Sequence, residues 1–229
     1  MPRNSRLLIG LAWLNVVLHV IALVLADKCM RPGSPLVSLR DRLSFLVHDT
    51  SAWVLAWASW MLCAAALIAY LAILAQQLHS PLAQFALTVA VVGAAFDVFC
   101  DAIYMVVLPQ LASHLPVPLL GQPPDEPWHY EVFLTVERIA GIGSMTIANG
   151  AYSLAILLLN VDLHRRRARR FTFGLGYVVA GFGFLLALAD FTGVARHAEW
   201  ATPPTIVLFC VWAVHVANTD FGERGASAP

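Results

Sequence analysis

Lysine occurs once in this 229-residue sequence, at Lys28, and charged residues of all kinds make up only 12% of it, against about 25% in soluble domains. So little charge on a chain that is 59% hydrophobic excludes an ordinary water-soluble domain. The formal net charge is zero, which removes the electrostatic basis for a nucleic-acid partner. The four cysteines, Cys29, Cys63, Cys100 and Cys210, have no C-x-x-C spacing and three fall in apolar runs, which argues against a disulfide framework or a zinc knuckle. There is no H-E-x-x-H pair, no glycine-rich phosphate loop after a strand and no convincing strand, and Ser144, in Gly-Ile-Gly-Ser-Met, sits in no nucleophile elbow. No cofactor and no resident metal are expected, and no internal repeat stands out.

What the chain does contain is six apolar segments, at about 7–26, 52–75, 82–108, 133–159, 172–191 and 203–219. Most approach the roughly 20 residues that cross about 30 Å of hydrocarbon as a helix. The expected fold is therefore all-α: one transmembrane domain over 1–229, a six-helix bundle in a lipid bilayer, with a bacterial-type inner membrane as the expected location. Arg3 and Arg6 precede the first apolar stretch in the manner of a signal peptide, but its twenty residues, interrupted by Asn15 and His19, exceed a usual signal core, so it reads as a retained span. The sixth segment is short, with Pro203 and Pro204 as its start and Asp220 as its end.

The link Asp162–Arg170 concentrates five of the thirteen arginines, which places it on the cytoplasmic side and, with six spans, puts both termini there. The segment 109–130 has neither Lys nor Arg and carries Asp125 and Glu126, as an external loop should. Lys28, Arg31, Arg40 and Arg42 in the first external loop run against the rule. Within that loop Leu36, Leu39, Leu43 and Leu46 recur at three- and four-residue intervals, the pattern of an amphipathic interfacial helix, read as an anchor in preference to a lid. Trp53, Trp57 and Trp60 share a face of the second span and read as packing plus an aromatic belt. Gly141, Gly143 and Gly150 on the fourth span and Gly174, Gly176, Gly181 and Gly183 on the fifth read as points of close helix approach. The alternative at Gly143-Ser144, with Thr146 and Asn149, is a loosened helix that exposes carbonyls.

The candidate site is centred on Gly93–Tyr104, inside the third apolar run. Gly93, Asp97, Asp101 and Tyr104 share a helix face at intervals of four, four and three residues. A charge near a bilayer centre costs about 2.5–3.5 kcal/mol on insertion scales, which makes such residues candidates for function. At about 1.5 Å per residue from each segment's midpoint, Asp97 falls within a few Å of the midplane and Asp101 roughly 9 Å outward. By the same measure His19 lies roughly 4 Å outward, and Glu137, Arg138 and Asp190 roughly 12–14 Å outward. These residues converge on one leaflet, so an externally open polar pocket is expected, lined by Asp97, Asp101, Glu137, Arg138, Asp190 and His19, with Arg138 pairing Asp101 or Asp190. His215 falls roughly 6 Å on the other side of the midplane, too far from the level of His19 for a shared haem.

Three chemistries fit such a pocket. The first is a small proton- or cation-coupled transporter, in which Asp97 and Asp101 bind a cation or proton. The second is a membrane-embedded enzyme, in which Asp97 or Glu137 acts as acid or base on a lipid or isoprenoid. The third is a metal held by carboxylates and His19 with help from His48, His114 or His129, which no local motif supports. A non-catalytic accessory or scaffold subunit, its charges facing a partner subunit or a second copy of the chain, is the remaining class.

Overall fold

A backbone in hydrocarbon must satisfy its own N–H and C=O groups, and a helix does so within one segment. The computed structural model describes residues 3–115, 127–166, 170–192 and 195–219, and among them every regular element is helical. The elements are α1 (Arg3–Leu25), continued by a π turn over Ala26–Met30 and a 3-10 turn over Arg31–Gly33; α2 (Leu39–His48); α3 (Thr50–Leu78); α4 (Pro81–Ala102), continued by a π turn over Ile103–Val107; α5 (Leu108–His114); α6 (Pro127–Gly141), continued by a π stretch over Ile142–Ala148; α7 (Asn149–Arg165); α8 (Arg170–Phe191); and α9 (Ala195–Ala217).

Local chemistry sets several of the ends. Ser80 caps α4 by accepting from the Ala83 amide at 3.0 Å, with Pro81 at the first helical position, where its missing N–H costs nothing. His79, in the left-handed region (φ 46°), terminates α3. Ser38 caps α2 by accepting from the Asp41 amide at 3.2 Å.

Five helical stretches are long and apolar enough to cross a membrane: Ser5–Gly33, Thr50–Leu78, Pro81–His114, Trp128–Arg165 and Arg170–Ala189. A further apolar helix, Ala201–Ala217, is shorter. Pro81–His114 and Trp128–Arg165 are 34 and 38 residues long; at about 51 and 57 Å they reach past the hydrocarbon core and past the ends expected from hydropathy alone. α9 does not begin at Pro203: it starts at Ala195 and runs through both prolines. The Thr205 hydroxyl donates to the Ala201 carbonyl at 2.7 Å one turn below them. Asp220, and the residues 116–126 that include Asp125 and Glu126, lie outside the described residues.

Packing follows the order of the chain: α1 on α3, α3 on α4, α4 on α7, α7 on α8, α8 on α9, and α9 back on α1. Six long helices thus close into a ring. Their outward faces carry Trp13, Val24, Leu55, Leu62, Phe85, Phe99, Leu185, Leu188 and Val207, all exposed. An apolar surface of that extent suits lipid and not water, so the chain is a membrane-integrated helical bundle. At one end of the ring Tyr70, Leu74, Leu78, Leu159, Leu163 and Trp212 form a dense core, pinned where the Tyr70 hydroxyl donates to the Ala213 carbonyl at 3.0 Å. At the other end Leu43, Leu46, Trp53, Trp57, Tyr104, Leu108 and Phe133 form a second core. Helix α2 buries Arg42, Leu43 and Leu46 and packs mainly against α5.

Glycine decides how closely α4, α7 and α8 approach. A side chain at Gly93 would meet Ala151 at 2.9 Å and the Ala148 carbonyl at 3.2 Å; one at Gly143 would collide with the Cys100 sulfur; and one at Gly183 would collide with Ser153. By contrast Gly174 and Gly181 have open space around them, so only part of the glycine stripe on α8 serves close approach.

Candidate functional site

The ring encloses a cavity of about 520 Å³ lined from all six long helices and from the link after α1. Asp97 and Asp101, one turn apart on α4, both line it, and so do Tyr104, Glu137 and His19. The approach at Gly93 brings α4 against α7, so that Asp97, one turn further along, meets two hydroxyls. Ser144 Oγ donates to its Oδ1 at 2.7 Å and Tyr152 Oη to its Oδ2 at 3.2 Å. Ser144 is presented by the π stretch that follows Gly141. There the wider turn and the bare Gly143 let that helix lie on Cys100. Close packing and a loosened helix, alternatives on sequence grounds, coexist at this point.

Asp101 is differently placed. It is 1% exposed, and neither carboxylate oxygen has a hydrogen-bond partner among the described residues. The basic group nearest in expectation, Arg138, is exposed and is not part of the cavity lining. Successive helix residues point about 100° apart; with Glu137 turned inward and buried, its neighbour faces out. Glu137 is paired instead with Arg42 of α2, both side chains at most 10% exposed, and the guanidinium lies 5.6 Å from the centre of the Phe133 ring. Arg42 was absent from the expected lining, although the spacing Leu39, Arg42, Leu43, Leu46 already puts it on the apolar face of α2. The Asp190 side chain lies outside the described residues.

The tryptophan stripe is not an interfacial belt. Trp53 and Trp57 are buried because they close on Tyr104: Trp57 stacks on it, with centroids 4.0 Å apart and planes 4° apart, and Trp53 Nε1 donates to its carbonyl at 2.6 Å. The Tyr104 hydroxyl reaches the Glu137 carbonyl at 3.4 Å. Trp57 Nε1 is buried without a partner among the described residues. Trp60 and Phe209 complete an aromatic wall around His19, whose ring lies 6.3 Å from Trp60 and 5.5 Å from Phe209. A carbonyl only accepts, so His19 Nδ1 donates to Asn15 O at 2.8 Å, which leaves Nε2 as the lone pair of the neutral ring. His215 lies in a separate, apolar groove between α1 and α9 and packs edge-on to Phe171.

The exposed residues of the lining, which mark its mouth, lie on the turn after α1 and on α9 near Pro203. Asp27, Met30, Arg31, Gly33, Pro35 and Pro203 line it. Arg31 there is exposed and lies 3.6 Å from Asp27, which also pairs with Lys28 at 2.9 Å. No group of three or more His, Cys, Asp or Glu side chains suited to a metal ion occurs among the described residues.

Fold and site together define a membrane-integrated helical bundle around an acidic, aromatic-walled cavity. Comparison with protein-family models, with curated proteins and with solved structures gives no significant match.

Proposed function

We propose that the cavity is the working site of a small proton- or cation-coupled transporter. The observation that carries this reading is Asp101: a buried carboxyl with both oxygens unpartnered, one turn from a second carboxyl, in a cavity whose one guanidinium, Arg31, sits at the mouth beside Asp27. Two acids with no ion-paired cation against them among the described residues can accept positive charge, and exchange of that charge is how in-membrane carboxylates drive transport. In this reading all six long helices span the bilayer. The arginine-rich link after α7 and both chain ends face the cytoplasm, so the mouth beside Gly33 opens outward. Arg42 holds Glu137 neutral as a pair, so Asp97 and Asp101 are the groups left to change occupancy.

The test is flux. Full-length protein in proteoliposomes should move protons or a monovalent cation down an imposed gradient, and Asp97→Asn and Asp101→Asn should each reduce the rate at least tenfold with unchanged thermal unfolding. Wild-type rates in both variants would refute the reading. Loss of turnover of a lipid substrate at unchanged flux would move the site to catalysis.

A further inference from the structure

The lining of the cavity says what kind of cation fits. Asp97 already accepts from Ser144 and Tyr152, so the carboxyl of the lining with no partner among the described residues is that of Asp101. A Ca²⁺-type site surrounds its ion with about six to eight oxygens, more than the Asp101 carboxyl supplies. The volume, about 520 Å³, is in the range of about 300–1,000 Å³ that receives a small organic molecule. The walls beside the carboxylates are aromatic: Trp57, Trp60, Tyr104 and Phe209. An organic cation carries little bound water, satisfies a single carboxylate with its charge, and gains from aromatic faces. Independently of the acids, Trp57 Nε1 is a buried donor with no acceptor among the described residues, suited to an oxygen on such a ligand.

We propose that the cavity binds a monovalent organic cation, its charged head between Asp101 and Trp57 and its apolar body against Trp60 and Phe209. This rests on the reading of the cavity as an open ligand site and names the class of its ligand. The test is equilibrium binding to full-length protein in nanodiscs with three probes of graded size: benzyltrimethylammonium, tetraphenylphosphonium and ethidium. At least one should bind saturably, one per chain, and sodium or potassium at matched ionic strength should not displace it. Asp101→Asn should weaken binding at least tenfold and Trp57→Leu by about 2- to 30-fold, the span of a cation–aromatic contact. Should Asp101→Asn fail to fold, the wild type still decides the matter. Dicyclohexylcarbodiimide should label Asp101, read by mass spectrometry, and the bound probe should block it. Saturable binding of none of the three, or labelling undiminished by the probe, overturns the proposal. Inorganic flux that depends on Asp97, in a protein that binds none of the three probes, rejects this inference and leaves the transport reading intact. Probe binding without any flux does the reverse.

Discussion

Replacing Arg42 by Met tests how α2 is held to the bundle. The guanidinium pairs with Glu137 where both side chains are at most 10% exposed and lies over the Phe133 ring. Removing one member of a buried pair leaves the other charge uncompensated, which costs about 3–5 kcal/mol. For a chain of this length a loss of 1 kcal/mol lowers the melting temperature by about 2–4 °C, so Arg42→Met should lower it on the order of 10 °C. The cost belongs to the orphaned carboxylate, so the second substitution Glu137→Leu should return most of it, because an apolar pair of similar volume is often neutral. Thermal unfolding in a fixed detergent, followed by intrinsic fluorescence, measures both. Arg138→Met is the control: its side chain is exposed and its substitution should change stability by under about 0.5 kcal/mol. A single variant within about 1 kcal/mol of wild type, or a double variant no more stable than Arg42→Met, would refute the pairing and with it the attachment of α2.

Two further outcomes follow from the helix contacts. Gly143→Val should destabilise by about 1–3 kcal/mol through overpacking against the Cys100 sulfur, and Cys100→Ala in the same chain should recover part of the loss; equal stability of the single variant and wild type would count against the close approach. Trp53→Phe removes both the 2.6 Å bond to the Tyr104 carbonyl and one ring of a buried indole packed on Phe45, Trp57 and Tyr104, and should lower unfolding stability by about 2–4 kcal/mol; a change under about 0.5 kcal/mol would count against both the bond and the packing.

Helical class and five of the six apolar segments as helices long enough to cross a membrane are legible in the sequence because lipid makes helix formation a local requirement: each segment closes its own hydrogen bonds, so hydropathy and length mark it. Rise per residue is fixed, so residues expected at one level can be named from the sequence; His19, Asp97, Asp101 and Glu137 line one cavity and Arg138 does not. Rotation about each helix axis is not local. It is set by which small residues let neighbours approach, and Gly93 and Gly143 settle it for α4 and the π stretch. That rotation turns Glu137 in and Arg138 out, brings Arg42 from a loop helix as the actual partner, and of the packing and belt expected for the tryptophans gives packing to Trp53 and Trp57, in the wall of the site. It also gives Asp97 two hydroxyls and leaves Asp101 with none, a difference between two carboxylates that spacing alone makes equivalent and that only the packing of six helices into a ring resolves.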